Sequence, residues 1–550
     1  MEEIDVVVVG AGHNGLVAAN YLCDAGFSVT VVEANARIGG MTSTGTPIAS
    51  APRHLINNFS IDSFFWDSFP PSRDLELDRY GLRLVELDPG HLYLHPDGGS
   101  IAFFKDPTRT ADDIRRFSVR DARAYLDFVP AVRAFAELAM QMGRTNPTRP
   151  DLTTLADTVR RAFGVRHELG EMMPLALKSI SETIAERFTH QVVRDALHAS
   201  SGSTIPNDIS GTGVAFVWIG NMHRHVCRRA MGGIQALPDA LANRLTTKGG
   251  SVRTGSPVAE ITVDGNRASG VRLVDGSHIR ARKAVLATCD PRTTLGKLLP
   301  DGVLPEPTQA AARSIPVNNL GYGQMKVDLA LSGRTTMKRH QAWRNDDVDV
   351  RKPTHMIGTE DGMRRLFARS GAGLVPDPGD YVLWPVIPTA LDPSQAPEGQ
   401  DTVYLYGSVV PSHPEGGWAA VKDKVAQGIV EAASLYYDDL DSLEIGRQVL
   451  NNEDIAELTN ASGGNITHVD TVLSRFGPLR PARGFGGYRT PVPALYLGGA
   501  GSHPGGGISG GPGYVSSHTV IRDLRRGDVG RGWPRWPSLR RSSPRRVMVP

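Results

Sequence analysis

The first forty residues place a buried strand, a glycine-rich turn and an apolar helix in direct succession. Val6–Val9 is a continuous β-branched run, which is typical of a strand buried on both faces of a parallel sheet. Gly10, Gly12 and Gly15 follow at G-x-G-x-x-G spacing, and a helical pattern of apolar residues begins at Leu16. The order predicts a βαβ unit whose first turn binds a dinucleotide.

Each position in this turn has a physical role. Gly10 allows the tight turn, Gly12 lets the backbone approach a pyrophosphate, and Gly15 lets the helix pack close to the strand. The helix N-terminus offers unpaired N–H groups and a partial positive charge to phosphates. His13 and Asn14 lie inside the turn, and we predict that they contact the cofactor.

The residues at the end of the second predicted strand indicate which dinucleotide the turn binds. Glu33 can accept hydrogen bonds from ribose hydroxyls, and its charge would repel a 2′-phosphate, so FAD or NAD is expected. Arg37, Gly39 and Gly40 then form an R-x-G-G turn that lets the chain pass the pyrophosphate again, with an arginine to neutralise charge. A nicotinamide cofactor does not need this second crossing, so FAD is favoured. The neighbouring predicted contacts are Ala34 and Met41.

A second glycine-rich segment lies near the C-terminus. Ala494–Leu497 has the pattern of a short buried strand, and Pro512 suits the first turn of a helix. A helix N-terminus placed against the flavin N1–C2=O edge would stabilise the negative charge of the reduced ring. The predicted cofactor contacts in this segment are Gly499, Gly501, Gly507, Ile508 and Ser509.

These motifs resemble those of the flavin-dependent phytoene desaturase and carotenoid isomerase-like family, within the amine oxidase superfamily. The resemblance is carried by GAGHNGLVAA near the start, VIPTALDPSQAPEG at 386–399 and YRTPVPALYLGGAGSHPGGGISGGPG near the end. It is strongest to the branch that contains the pyridine nucleotide-disulfide oxidoreductase domain-containing protein 2. Amine oxidases of the superfamily usually carry an acidic residue where this chain has Gly501. The resemblance also implies that the backbone near Val258 meets the adenine.

The 550 residues are enough for more than one domain. The predicted class is α/β (α+β overall), with a Rossmann-type FAD-binding domain built from separate segments and a substrate domain of mixed sheet and helices. Strand-like patterns in the second half include 380–388, whereas 333–380 has little periodicity and is predicted to be a flexible loop or lid. The predicted segments are 1–75, 226–310 and 478–525 for FAD, 76–225 and 311–477 for substrate with a helical part at 110–225, and a basic, disordered tail at 526–550.

Composition limits the compartment and the partners. No apolar run approaches the roughly 20 residues that span a bilayer, and the fold begins at Ile4, so a cytoplasmic protein without a signal peptide is expected. The three cysteines form no C-x-x-C pair, which argues against a redox disulfide. Net charge is +2, yet residues 522–550 hold nine arginines and two aspartates. We expect no nucleic-acid partner; peripheral membrane contact through this tail stays open.

Flavin chemistry asks little of side chains, since the cofactor takes the hydride and the protein positions the substrate. His503, in the C-terminal turn, is the first candidate for a catalytic base. His54 lies on the path from the R-x-G-G turn and is a candidate for substrate contact or for tethering the flavin. Tyr514 is the third candidate, with simple packing as the alternative. No metal is predicted, because arginines flank the H-x-H pair at His223.

The sequence therefore predicts an FAD-dependent oxidoreductase that removes a hydride and a proton from a C–C or C–N bond. The expected substrate is a mainly apolar organic molecule, such as a natural-product or carotenoid-like intermediate. Oxygen, a quinone or another acceptor would reoxidise the flavin, and the protein would be a monomer or a homodimer. The alternatives are a flavin-dependent isomerase without net redox change, an amine oxidase, and a non-catalytic flavoprotein.

Overall fold

The computed structural model describes residues 2–201 and 205–528, and the predicted basic tail lies outside the described residues from position 529 onward. Strands and helices are interspersed along the described chain, which makes it a mixed α/β protein. The strands are β1 (Glu2–Val9), β2 (Val29–Val32), β3 (Thr44–Gly45), β4 (Ile56–Asn57), β5 (Leu84–Leu87), β6 (His91–Leu94), β7 (Ser100–Phe103), β8 (Cys227–Ala230), β9 (Ser251–Arg253), β10 (Val258–Asp264), β11 (Arg267–Leu273), β12 (His278–Ala287), β13 (Tyr322–Leu331), β14 (Thr354–Ile357), β15 (Asp401–Pro411), β16 (Glu444–Leu450) and β17 (Leu495–Leu497).

Helices fill the region between β7 and β8, in agreement with the helical periodicity predicted for 110–225. The α-helices are α1 (His13–Asp24), α2 (Pro71–Asp74), α3 (Pro107–Arg115), α4 (Val119–Gly143), α5 (Leu152–Gly164), α6 (Leu169–Leu177), α7 (Ile180–Arg187), α8 (Gln191–Ser200), α9 (Val217–Met222), α10 (Ala236–Thr247), α11 (Pro291–Gly296), α12 (Glu306–Arg313), α13 (Lys338–Arg344), α14 (Glu360–Gly371), α15 (Trp418–Ser434), α16 (Leu440–Leu443), α17 (Asn452–Thr459) and α18 (Gly511–Arg526). Within the described ranges, no helix has both the length and the hydropathy that a bilayer crossing requires.

Three distant parts of the chain contribute to one seven-stranded sheet. Its order is β10-β11-β12-β1-β2-β9. The seventh strand, β17, pairs in parallel with the last three residues of β12. β1 runs parallel to both β2 and β12, which places the glycine turn after Val9 at the carboxyl edge of the sheet. Strands β10, β11 and β12 pair antiparallel in two successive hairpins, which turn at Asp264-Gly265 and Asp275-Gly276.

β1 shows why a continuous β-branched run belongs at the centre of this sheet. Successive side chains of a strand point to opposite faces. Val6 and Val8 pack with Leu16 of α1 and with the helices α10 and α18, whereas Val7 and Val9 pack on the other face with residues of β10–β12. All four valines are buried, and burial of each contributes about 1.5–3 kcal/mol.

The second half of the chain forms the three-stranded sheet β15-β13-β16, and it adds β14 to β6 and β7 in another three-stranded sheet, β14-β6-β7. Two predictions fail here. The stretch 380–388 makes only isolated bridges at Leu383 and Val386, because Pro385 between them has no N–H to donate. The stretch 333–380 is not a loop throughout, since it contains α13, β14 and α14, and β14 is held by parallel pairing with β6. Short elements of this kind leave little periodicity in the sequence.

Candidate functional site

A cavity of about 670 Å³ extends from the glycine turn after β1 to the sheet formed by β13 and β15. Most residues predicted to contact the cofactor lie on the wall at the first end. They are Gly10, Gly12, His13, Asn14, Gly15, Glu33, Ala34, Gly40, Met41, Val258, Gly507 and Ile508. The N-terminal turn, strand β10 and the C-terminal glycine segment therefore meet at one cavity.

The three glycines of the first turn have different surroundings. A Cβ on Gly15 would lie 2.0 Å from the Gly10 carbonyl oxygen, so this glycine is needed for helix–strand packing. A Cβ on Gly12 would meet only the Gly39 oxygen, at 4.0 Å, so its Cα faces open space in the cavity. Gly12 is also the N-cap of α1, and the first turn of that helix contains no acidic residue. The helix N-terminus is thus open to an anionic group.

Glu33 is held in place by backbone donors. One carboxylate oxygen accepts from the Ala11 N–H at 2.7 Å, and the other accepts from the Asn35 N–H at 3.0 Å. Burial raises the pKa of Glu33, and the backbone hydrogen bonds oppose that shift. The carboxylate therefore lies fixed on the cavity wall, with lone pairs that can also accept from ribose hydroxyls.

Five predicted cofactor contacts are not on the cavity wall. Arg37 is exposed and points towards Gly45. Gly39 donates its N–H to the Ala11 carbonyl oxygen at 2.9 Å and so supports the turn from behind. Gly499 and Gly501 pack closely against the loop and helix that follow β12, while the Ser509 hydroxyl accepts from the Gly511 N–H at the start of α18. The glycines and Ser509 therefore support the backbone behind the wall, whereas Ala500 of the same C-terminal segment is itself a wall residue.

None of the three predicted catalytic residues is on the cavity wall. His503 is buried with its Nε2 3.1 Å from the Met142 carbonyl oxygen at the end of α4. The Nε2 of His54 is 3.3 Å from the carbonyl oxygen of Leu331. Tyr514 packs its ring against Tyr21, with ring centroids 5.2 Å apart. Each is thus placed by packing or by a backbone bond, and we assign catalysis to none of them.

Lys326, which the sequence analysis did not single out, lies on the cavity wall on β13. Its side chain is buried, hydrogen-bonds to Asp328, and places Nζ 4.1 Å from the ring centroid of Tyr404. Burial lowers the pKa of Lys326 and raises the pKa of Asp328 to about 6, and in each case the partner's charge opposes the shift. A buried lysine of this kind can hold or accept a proton. The available signal was a lysine inside the apolar strand pattern GQMKVDLAL.

Aromatic rings line the same end of the cavity. Phe64 stacks on Trp218 with centroids 5.0 Å apart and planes at 6°, and Trp218 meets Trp384 edge-on at 5.3 Å. Tyr404 and Tyr406 reach the cavity from one face of β15. These rings come from four distant segments, so no local motif indicated them. They form a flat apolar surface beside the lysine.

The carboxylate on this part of the wall belongs to Asp62, and it is fully engaged. Arg229 donates through Nε at 2.7 Å to one oxygen, and the Thr354 hydroxyl donates to the other. Burial is the largest influence on Asp62 and opposes its ionisation, but the nearby Arg229 and His91 and the hydrogen bonds from Thr354 and Arg229 together outweigh it and lower the pKa. His91 lies nearby and burial lowers its pKa to about 4, so its ring is neutral at pH 7. The wall therefore presents no unbalanced negative charge at Asp62.

The dinucleotide end fits a flavin dinucleotide on three observations. Gly12 leaves a cradle that a side chain would fill. His13 Nε2 and His468 Nδ1 are buried in the cavity wall and have no hydrogen-bond partner among the described residues. The cavity then continues past Thr288 and Ala500 to the aromatic rings and Lys326. One cavity is therefore lined by both the dinucleotide turn and the aromatic rings.

Burial lowers the pKa of six histidines from 6.5 to about 4: His13, His91, His198, His223, His225 and His503. The folded chain therefore binds fewer protons than the unfolded chain between these pH values. Stability from these groups is complete above pH 6.5 and is lost as the pH falls towards 4. We expect the melting temperature to drop steeply across this window, and His225→Gln to make the drop shallower. A melting temperature that is flat from pH 6.5 to 4.5 would contradict this.

Comparison with known proteins places these features in a family. The flavin containing amine oxidoreductase family matches residues 15–344. Pyridine nucleotide-disulfide oxidoreductase domain-containing protein 2 from Mus musculus is 29% identical over 561 residues, covering 95% of this chain and 94% of the relative. The zeta-carotene-forming phytoene desaturase of Myxococcus xanthus is 24% identical, with 92% and 90% covered. The solved structure of cyclohexylamine oxidase from Brevibacterium oxydans IH-35A has the same fold, with a TM-score of 0.56, 18% identity, and coverage of 95% of this chain and 100% of that chain.

Proposed function

Since the chain belongs to the flavin-containing amine oxidoreductase family and is an FAD-dependent oxidoreductase, we propose that it dehydrogenates a carbon–carbon bond of a mainly apolar substrate. The observation that carries this proposal is the single cavity that joins the dinucleotide turn to an aromatic chamber containing Lys326. Such a cavity supports cofactor and substrate lying end to end in one enclosed space.

We propose the following division of the wall for FAD. The α1 N-terminus at Gly12 would hold the pyrophosphate, Glu33 the adenosine ribose, and Val258 the adenine edge. His13 and Gly507 would contact the part of the cofactor nearer the substrate. Bound FAD supplies the acceptor for the hydride that leaves the substrate.

The aromatic chamber favours an apolar and unsaturated substrate. Phe64, Trp218 and Trp384 offer flat faces and edges that pack against a conjugated chain. An ammonium substrate would instead need a carboxylate with spare charge, and Asp62 is already paired with Arg229. The desaturase name of the Myxococcus xanthus relative is consistent with a carbon–carbon bond as the point of attack.

Dehydrogenation also releases a proton, and Lys326 is the residue that we propose receives it. Its Nζ is on the wall and out of bulk water, which lowers its pKa and increases the neutral fraction that can accept. Asp328 then stabilises the ammonium that results. Positioning of the substrate against the aromatic rings would supply the remaining orientation.

We also propose a division of the chain that follows the strands. Residues 1–75, 226–310 and 478–525 would form the FAD-binding domain, and 76–225 with 311–477 the substrate-binding domain. The seven-stranded sheet, drawn from the first set of segments, supports this division. Most of the Lys326 environment, including Tyr404 and Trp384, belongs to the second set.

Anaerobic reduction of the bound flavin tests the proposed reaction. Conjugated apolar olefins, saturated fatty chains and primary amines would each be added to the FAD-loaded protein. The absorbance band of oxidised flavin at about 450 nm would then be followed. We expect bleaching by an apolar olefin, with a product two hydrogens lighter. Bleaching by amines alone would replace this proposal with C–N oxidation, and product isomerisation without bleaching would replace it with isomerase chemistry.

Trp218→Ala tests the aromatic part of the same site. Loss of the ring removes an aromatic face from the cavity wall, and an aromatic contact with the substrate at that face would be worth about 0.5–1.5 kcal/mol. We expect a roughly tenfold higher substrate KM, with FAD content unchanged. An exposed aromatic elsewhere, Phe163, gives the matched control Phe163→Ala. An unchanged KM in Trp218→Ala would remove the aromatic wall from the substrate site.

A further inference from the structure

Tyr406 is the neighbour of Lys326 across the β13–β15 pair. The two residues lie directly opposite each other in this antiparallel register, and both are on the cavity wall. Side chains that are opposite in an antiparallel pair share one face of the sheet, with Cβ atoms about 4.5–5.5 Å apart. The aromatic chamber therefore has a tyrosine and a lysine side by side on two strands of one sheet.

The Tyr406 hydroxyl has no hydrogen-bond partner among the described residues. Tyr404 lies two residues earlier on β15 and is different, because its hydroxyl donates to the Phe59 carbonyl oxygen at 2.5 Å. Burial raises the pKa of Tyr406, so the phenol keeps its proton near pH 7 and remains a hydrogen-bond donor. A half-buried hydroxyl on a cavity wall, without a partner in the described chain, is free to bind a ligand.

His91 is a second polar group of the chamber that lacks a hydrogen-bond partner among the described residues. Its ring centroid lies 5.2 Å from that of Phe64 and 6.4 Å from that of Trp384. The backbone N–H of Trp384 in turn donates to the Tyr406 carbonyl oxygen at 2.9 Å. A pure hydrocarbon would displace water from both polar side chains without replacing the lost hydrogen bonds. The chamber is therefore better matched to an apolar molecule that carries an oxygen atom.

We propose that the substrate carries a carbonyl group next to the bond that is dehydrogenated, and that Tyr406 binds the carbonyl oxygen. The inference rests on the proposed role of Lys326 as proton acceptor and names the substrate class, an apolar ketone or aldehyde that becomes its α,β-unsaturated counterpart. A carbonyl group acidifies the C–H bonds of the adjacent α-carbon, which an amine can then deprotonate. An alcohol oxygen would also bind the phenol, but it leaves the neighbouring C–H bonds without this activation.

The α-carbon loses its proton to Lys326 Nζ, and the electron pair of that C–H bond forms a C=C bond to the carbonyl carbon. The carbonyl oxygen takes the negative charge, which the Tyr406 O–H and the new Lys326 ammonium stabilise. The β-carbon then releases a hydride to the FAD that the oxidoreductase activity already requires. The C=O bond re-forms as the α,β double bond forms, so the substrate loses one proton and one hydride in total.

Anaerobic flavin reduction by matched probes tests the substrate class on the full-length, FAD-loaded protein. Menthone and methyl undecyl ketone are compared with their parent hydrocarbons, menthane and tridecane, and with menthol. We expect each ketone to reduce the flavin at least about a hundredfold faster than its hydrocarbon and to give a product two hydrogens lighter. Hydrocarbons that react as fast as the ketones would overturn the carbonyl proposal but leave carbon–carbon dehydrogenation in place. Reduction by menthol alone would overturn both proposals, and no reduction by either ketone would overturn the carbonyl proposal.

Deuterium exchange in heavy water separates proton transfer from hydride transfer. When the flavin is reduced beforehand it accepts no hydride, so deuterium that enters the α-position of menthone reports deprotonation alone. We expect the wild type to catalyse this exchange. Tyr406→Phe, which removes only the hydroxyl, should slow it by about 10²–10³-fold, the effect typical of losing one oxyanion donor. FAD content should stay at the wild-type level in this variant.

The matched control is Tyr381→Phe. Tyr381 is another buried tyrosine whose hydroxyl lacks a partner among the described residues, but it is not on the cavity wall. This variant should exchange deuterium into menthone at the wild-type rate. Exchange at the wild-type rate by Tyr406→Phe would overturn the role of Tyr406. The absence of exchange in the wild type would overturn the carbonyl proposal as a whole.

Discussion

Gly12→Val is expected to lower FAD affinity at least a hundredfold while leaving the fold intact. Gly12 has φ −67° and ψ 166°, an extended conformation that valine adopts readily. Its Cβ would meet no protein atom closer than 4.0 Å and would enter the space at the α1 N-terminus. The added side chain would therefore occupy the cradle proposed for the pyrophosphate. FAD titration followed by fluorescence quenching, with circular dichroism of the apoprotein, measures both effects.

Two further glycine variants serve as comparisons for Gly12→Val. Gly379→Val adds a side chain where a Cβ would meet nothing within 4 Å, far from the glycine turn, and should bind FAD normally. Gly15→Val should fail to fold, because its Cβ would lie 2.0 Å from the Gly10 oxygen. A Gly12→Val protein that binds FAD like the wild type would show that the cofactor does not approach this turn.

Lys326→Met is expected to lower kcat by 10²–10⁴-fold with FAD still bound, an effect of the size attributed to a positioned proton-transfer group. Methionine keeps the length and apolar stem of lysine but cannot accept a proton. In the wild type, kcat should rise with pH as Lys326 loses its proton, since only the neutral amine accepts. Lys326→Met should lose this rise. Rapid-mixing measurement of flavin reduction across pH gives both values.

Removal of the lysine also leaves Asp328 buried without its partner, which is destabilising by about 3–5 kcal/mol for a charged group. The double variant K326M/D328N removes this charge and should recover most of the stability. If K326M/D328N regains stability but not activity, the loss is chemical. Recovery of activity in the double variant would contradict a proton-accepting role and assign the lysine to structure.

The sequence was most informative where function depends on the backbone. The glycine turn, the β-branched strand before it and the helix after it are local features, and the structure has all three at the expected positions. The family resemblance, the mixed α/β fold and the FAD cofactor are confirmed. In each case short-range constraints, such as the absence of a Cβ at Gly15, leave direct marks in the sequence.

The substrate end of the cavity was not predictable in the same way. Asp62, Arg229 and Thr354 meet although long stretches of chain separate them, and Trp218 and Trp384 join from different elements. Which side of a turn or strand faces the cavity depends on packing that no local pattern records. His503 shows the same limit: Ala500 and Gly507 of its segment line the cavity, whereas its own ring is held at the end of α4 by the Met142 carbonyl oxygen and is not part of the wall.

Absorbance of the purified full-length protein, before and after heat denaturation, tests the central claim most directly. The account predicts oxidised-flavin bands, one FAD per chain, and complete release of the chromophore into the supernatant. Release is expected because His54, the candidate for a covalent link, lies off the cavity wall with its Nε2 near the Leu331 carbonyl oxygen. A protein that acquires no flavin after incubation with FAD would contradict the assignment of this cavity, and flavin retained in the precipitate would contradict the placement of the cofactor within it.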